Sequence, residues 1–494
     1  MINSKVLQIL SSFSEKELEK FEEFLNSPFL NKNIPIIRLF KLIRKFDFHL
    51  DGPLFSQEIL KVKLPENRKS NDAYLRNLFS DLKEKAEDFL SYINYKNDNS
   101  YDIHLLKELY NRDDTIGFEK KLRKFELTVQ KERSGSPTYY HDRAFVTEMK
   151  TNSKVNKKLI ENIKKEDIEN KFYFFLLSIM ESYCQTFIER QRADTEHDFT
   201  MLEYFLDYIK QDIPGFKKEP LILIYYYACM CFLNNYDNEY FNLFISSYNL
   251  NKKNISHIDK RNINSLILTY YGIKNNNEPG KYYREALKIY NDMIDNNYLS
   301  HTRTGYIDLI AVRNIIYLHL NLKEKKPFET FIRRINSIVP PEQRKEILLY
   351  ANSLYNILLN DFERALSFLF KINFNTFLES VDDNLYFKID VKKYSIVCLI
   401  ELGHLETALA QIDSFKHYLN YSGIIPKDIR MRNHKFINLL KEIVSLKMKF
   451  DEYKLHLLEK KIGQSNEMNS FLKHWMLEKC RELDCSMQHV QTKI

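Results

Sequence analysis

The chain has 494 residues, 44% of them hydrophobic and 29% charged, and 74 Lys plus Arg against 67 Asp plus Glu leave a net charge of +7. That length exceeds the roughly 250 to 300 residues at which a single core stops growing, so several domains or a repeat array are expected. With only 10 Gly and 12 Pro the chain has little material for tight β turns, which points to helices, and a charge excess this small is weak evidence for a nucleic-acid partner.

The N-terminus, MINSKVLQILSSFSEKE, has an apolar stretch too short for a signal peptide and no small-residue cleavage site, so a cytoplasmic location is expected. Ser14 and Glu17 stand in S-x-x-E spacing before ELEKFEEFL, which predicts a capped helix that Pro28 ends. DGPLF and LPENRKSND supply turns. Asn71 can then cap a helix whose apolar positions, Leu75, Leu78, Phe79, Leu82, Ala86, Phe89, Leu90 and Ile93, step by three and four. NYKNDNSYD, from Asn94 to Asp102, reads as a connector. Residues 1–95 are thus expected to be an N-terminal helical domain.

Helical pairs fill the chain from about residue 101. LILIYYYACMCFL, Leu221 to Leu233, is shorter than the roughly 18 residues of a membrane span and is bounded by Pro220 and Asn234, so it reads as a buried helix and no membrane span is expected. Farther on, four apolar stripes superimpose: Tyr283, Ala286, Leu287, Tyr290 and Ile294; Phe328, Ile332 and Ile335; Phe362, Ala365, Leu366 and Leu369; Leu405, Ala408, Leu409, Ile412 and Phe415. Ala286, Phe328, Ala365 and Ala408 are 42, 37 and 43 residues apart, a spacing characteristic of stacked helical hairpins. Gly403 ends the helix carrying Val391, Tyr394, Cys398 and Leu402, where a rapid reversal calls for a left-handed residue. Asn360 stands in the same place one hairpin earlier. The expected fold is all-α: an α-solenoid of antiparallel helix pairs over 101–426, clearest over 281–421, with a C-terminal helical cap and tail over 427–494. The cap region is basic, since ten cations stand against five anions between Lys427 and Lys461.

ELGHLETALAQI and LLNDFERALSFL resemble the turn and second helix of the tetratricopeptide repeat (TPR) family, with repeats longer than that family's and Val339-Pro340-Pro341 supplying its closing proline. FEEFLNSPFLNKN and NDAYLRNLFSDLKEKAEDFL are similar to the N-terminal segment of a group of uncharacterised bacterial helical-repeat proteins. The resemblance implies a non-enzymatic scaffold that binds proteins or peptides, with no cofactor.

Chemistry-bearing motifs are sparse. Neither G-x-G-x-x-G nor a G-K-[ST] ending occurs, which disfavours nucleotide hydrolysis, and H-E-x-x-H and G-x-S-x-G are absent. His474, Cys480, Cys485 and His489 match no common zinc spacing, and Cys229 and Cys231 point to different faces of one helix. The six cysteines are scattered, as free thiols of a reducing compartment would be. Arg192 and His197 stand in R-x4-H spacing, similar to an all-helical ribonuclease family, although Ala193 replaces the polar residue that usually follows the arginine. A DNA-associated regulator is a further alternative, with Arg76 and Asn77 on the helix after Asn71 and Lys61, Lys63, Arg68 and Lys69 on phosphates, against the repulsion of Glu15, Glu17, Glu19, Glu22 and Glu23. The sharpest site expectation comes from register. Ten residues before the turn positions Lys323, Asn360 and Gly403 stand Arg313, Tyr350 and Lys393, which the TPR resemblance places on a concave groove facing a protein or peptide ligand with acidic groups.

Overall fold

A computed structural model describes residues 4–46, 72–132, 135–152, 157–189, 197–278, 280–300, 305–374, 381–422, 425–465 and 468–491. Among these the chain is all-α, with no strand and a single isolated bridge between Ser300 and Ile307. It divides into two compact units, residues 1–132 with 141–168, and residues 133–140 with 169–494. The boundary expected near residue 95 falls inside the first unit.

The first unit opens with α1 (Ser4–Ser11), α2 (Glu15–Asn26), α3 (Ile34–Lys45) and α4 (Asp72–Asn97). At the start of α2, the Ser14 hydroxyl accepts from the Glu17 N–H, and the Glu17 carboxylate accepts from the Ser14 N–H at 2.9 Å. The helix ends at Asn26, two residues before Pro28. Phe21 is the centre of the core, with the rings of Phe13, Phe24, Phe40 and Phe89 around it. Leu78, Phe79, Leu82, Ala86 and Phe89 of α4 are all buried against it. Asn71 and the turns expected over 51–55 and 64–71 lie outside the described residues. The expected connector is largely helix. With no Gly or Pro to stop it, α4 continues through Asn97, and only Asp98 and Asn99 break the path before α5 (Ser100–Asn111), where the Asp98 carboxylate accepts from the Ser100 N–H at 2.7 Å. There follow α6 (Thr115–Glu132), then α7 (Pro137–Asn152) and α8 (Lys157–Glu189), which are divided between the units.

The second unit holds two apolar cores. The first joins α8 to α9 (Thr200–Gln211), α10 (Pro220–Leu233), α11 (Asn238–Asn251) and α12 (His257–Asn277). Pro220 is the first residue of α10, where its missing N–H costs nothing, and the helix is buried on nearly every side. No helix among the described residues is long and apolar enough to cross a membrane. The second core joins α13 (Tyr283–Asp295), α14 (Leu309–Leu322), α15 (Lys325–Ile338), α16 (Pro341–Leu358), α17 (Phe362–Lys371), α18 (Val381–Glu401), α19 (Leu405–Tyr421), α20 (Lys427–Met448), α21 (Glu452–Gln464) and α22 (Ser470–Gln491). Helices adjacent in sequence pack as antiparallel pairs, so the stretch is a helical array. The four stripes lie in or against this core, with Ala365, Ala408 and Phe328 fully buried.

Three turns of the array are alike. Lys323, Asn360 and Gly403 all have positive φ, at 55°, 62° and 75°. At the last two the hydrogen bonds also match: Asn360 and Gly403 donate three residues back, to Ile357 and Ile400, while Asp361 and His404 donate five back, to Asn356 and Leu399. That pattern satisfies the last carbonyls of a helix and reverses the chain at once.

Candidate functional site: a carboxylate-centred network and the helix seated beside it

Alternate helices of the array, α14, α16 and α18, pack on one another as well as on their hairpin partners, and they share one face. Arg313 and Tyr317 lie one turn apart on α14, Tyr350 on α16, and Asp390, Lys393 and Tyr394 on one turn of α18. Asp390 is the hub. Arg313 Nε donates to Oδ2 at 2.6 Å and its Nη2 to Oδ1 at 2.9 Å, while the hydroxyls of Tyr317 and Tyr350 donate to Oδ1 and Oδ2, each at 2.8 Å. The carboxylate is fully buried, and four donors from two helices fill its oxygens.

The electrostatics follow from burial. Withdrawal from water works against the Arg313 charge, but Asp390 beside it outweighs this and holds the guanidinium's pKa above its usual range. Tyr317 and Tyr350 are pushed up, by burial first and then by the Asp390 charge, so both remain hydroxyl donors. Lys393 differs. Burial lowers its ammonium to about 8, Asp390 offsets part of this, and Arg313 and Arg432 add repulsion. Its Nζ lies 5.3 Å from the centre of the Phe436 ring of α20.

Of the three residues singled out by register, Arg313 and Tyr350 meet on the Asp390 carboxylate, while Lys393 stands one turn along the same helix as Asp390. Arg313 and Tyr350 are already committed to Asp390, and Tyr350 has no exposed surface. Lys393 remains partly exposed and, among the described residues, makes no ion pair. Asp390 was missed in the sequence although it stands three residues before Lys393, the one acid in the centre of FKIDVKKYSIVCLI.

Beside this network sits α22. Asn469, just before the helix, donates to the Tyr394 hydroxyl at 3.2 Å, and the Phe471 N–H donates to Oδ1 of Asn321 on α14 at 2.9 Å. One turn on, Trp475 Nε1 donates to Glu401 at the end of α18, and Lys479 Nζ reaches the other oxygen of the same carboxylate at 2.9 Å. Leu472, Trp475, Met476 and Cys480 are buried in the shared core, whereas His474, Glu478 and Arg481 face solvent. The sequence reading missed this seat: α22 touches α14, α18 and α20, up to 150 residues away in the chain.

His474 is exposed and Cys480 buried on α22, with Cys485 exposed farther along, and no group of metal-ligating side chains occurs among the described residues. Arg192, Lys61, Lys63, Arg68 and Lys69 lie outside the described residues. His197 is exposed, as are Arg76 and Asn77 on α4. Of the acids set against DNA, Glu15 and Glu22 pair with Arg44 at 3.1 and 3.3 Å. In the basic region Lys461 binds Glu442, Lys454 binds Asp451, and Arg430 donates to the carbonyls of Ser422 and Ile425.

A second polar cluster lies in the other core. Glu181 of α8 is hydrogen-bonded to Asp259 of α12 and accepts from the Tyr225 hydroxyl of α10 at 3.2 Å, while Ser256 donates to Asp259 at 2.6 Å. Burial first, and then Asp259, push the Glu181 carboxyl up to about 8. Nearby, the sulfurs of Cys184 and Cys229 are 3.7 Å apart, and burial pushes the Cys184 thiol up so that it stays protonated.

Comparison with known proteins finds no matching family model, no matching curated protein and no matching solved structure.

Proposed function

We propose that the chain is a TPR-like α-solenoid acting as a non-enzymatic scaffold, and that it binds a protein or peptide on the face shared by α14, α16 and α18. One observation carries this reading: a helix, α22, packs against α14 and α18 and is held there by both apolar burial and specific polar bonds. A surface that seats one helix through side-chain donors and a buried carboxylate is suited to recognising polypeptide. Lys393 gives the face a cation for an acidic group of the ligand, because an ammonium depressed by burial gains most from a carboxylate brought beside it.

The test is selection of a random peptide library on the full chain. The reading expects enriched peptides whose affinity falls about tenfold or more with Lys393→Glu or Glu401→Lys, the cost of one misplaced charge pair. It expects no change with Arg333→Glu, which alters an exposed arginine on α15. Enrichment of no peptide, or only of peptides indifferent to Lys393 and Glu401, overturns it. Arg313 is unsuitable for such a test: its reversal would leave Asp390 facing a second buried carboxylate and unfold the face itself.

A further inference from the structure

We infer that the partner is itself an amphipathic helix, one that carries an aromatic residue followed four positions later by a lysine and takes the seat of α22. This rests on the reading of that face as peptide-binding and specifies the ligand. The seat defines what it accepts. Glu401 receives the Trp475 ring N–H and the Lys479 ammonium on its two oxygens, and the Glu401 and Lys479 side chains are only 11% and 9% exposed. A buried ion pair adds little to stability over a well-packed apolar pair but penalises heavily any occupant that lacks one partner, so it selects rather than merely holds. Leu472, Met476 and Cys480 complete the pattern: apolar, two residues, aromatic, apolar, two residues, lysine, small apolar.

The arrangement also suits exchange. Lys479 has a second carboxylate partner, Glu482, at 2.7 Å on α22 itself, so the lysine keeps a counter-ion when the helix leaves. The outer side of α22 is polar and exposed at His474, Glu478 and Arg481, so one side of the helix is already in water. An incoming helix with the same groups restores every bond that the outgoing one gives up; a helix without them strands Glu401.

Trp475 is the only tryptophan in the chain and is buried in the seat, so its emission reports whether α22 is in place. The experiment adds to the full chain a peptide of residues 469–485 with 4-fluorotryptophan at position 475, which keeps the ring N–H and is silent in tryptophan emission. A tethered helix competes at an effective concentration on the order of millimolar, so the unmodified chain binds this peptide weakly and its emission shifts to the red as α22 is displaced. A chain with Lys479→Glu, whose own helix is loosened, binds it about tenfold more tightly; Lys479→Gln serves the same purpose if the charge reversal prevents folding, as judged by circular dichroism. A peptide with Lys479→Glu loses binding to the unmodified chain and regains it on a chain with Glu401→Lys. The inference is overturned if the loosened chain binds no more tightly than the unmodified one, or if affinity is indifferent to the sign at either position. Should library peptides without the aromatic-lysine pair still bind in a Lys393-dependent way, the broader function stands and only this partner class falls.

Discussion

Lys393 sits in an environment that disfavours its charge, and this has a measurable consequence. Its folded-state pKa of about 8 lies below its ordinary value of 10.5, because burial outweighs the pull of Asp390. Between those two values the unfolded chain binds more protons than the folded one, so this residue makes stability rise with pH from about 8 to 10.5, and below 8 its full penalty is present. Replacing Lys393 with Met is expected to raise stability at pH 7 by about 1–2 kcal/mol, less than the full shift implies because the residue is partly exposed. Urea midpoints of the two proteins at pH 7 and pH 10 check this: the gap should shrink at the higher pH, and a gap independent of pH would remove the electrostatic explanation. At this scale the sequence was half legible. Counting back from three turns picked out Arg313 and Tyr350, which meet on one carboxylate, and Lys393 on the helix that carries it. It could not reveal that Asp390 takes up the first two, since an isolated acid in a helix reads by default as solvated and only the packing of α14 and α16 against α18 makes it a hub.

The elements themselves were the most legible level, because stripes that step by three and four fix both helix and buried face without knowledge of neighbours. Where the reading erred, over Asn94–Asn97, polar composition was mistaken for a break; asparagine is merely a weak helix former, and with no proline or left-handed glycine the helix ran on. The shared turn is the converse case. Glycine marked one turn and asparagine the next, while the third is occupied by Lys323, whose left-handed φ of 55° no composition rule announces. A left-handed residue with a side chain costs roughly 1–2 kcal/mol, whereas glycine is free of that penalty but loses more backbone entropy on folding. Lys323→Gly is therefore expected to stabilise the array by about 0.5–1 kcal/mol, and Gly403→Ala to destabilise it by about 1 kcal/mol. Added Cβ atoms at Gly403 would meet nothing within 4 Å, so the second effect is conformational and not a clash. Thermal denaturation of the two variants decides it: equal shifts of the same sign would mean that the turns do not share the geometry described.

For the whole molecule, the question left by two cores in one unit is whether they unfold together. Tyr271 and Ile289 each pack against both cores, and α12 of the first contacts α13 of the second, so cooperative unfolding of the unit is expected. The Glu181–Asp259 pair supplies the means to test it. Glu181 is protonated in the folded chain up to about pH 8 but in the unfolded chain only to about 4.5, so the folded state holds the extra proton in this window and stability falls as pH rises through it. Glu181→Gln, which is neutral throughout, should leave stability little changed near pH 5 and raise it at pH 8. The tryptophan that reports unfolding, Trp475, belongs to the other core. If the unit is cooperative, the pH 8 gain from Glu181→Gln will move the Trp475 midpoint by the same amount as the helical circular dichroism midpoint. A Trp475 transition that ignores a substitution made in the first core would show instead that the array from α13 onward folds on its own terms, and its turns, network and helix seat would then have to be understood without α8 to α12.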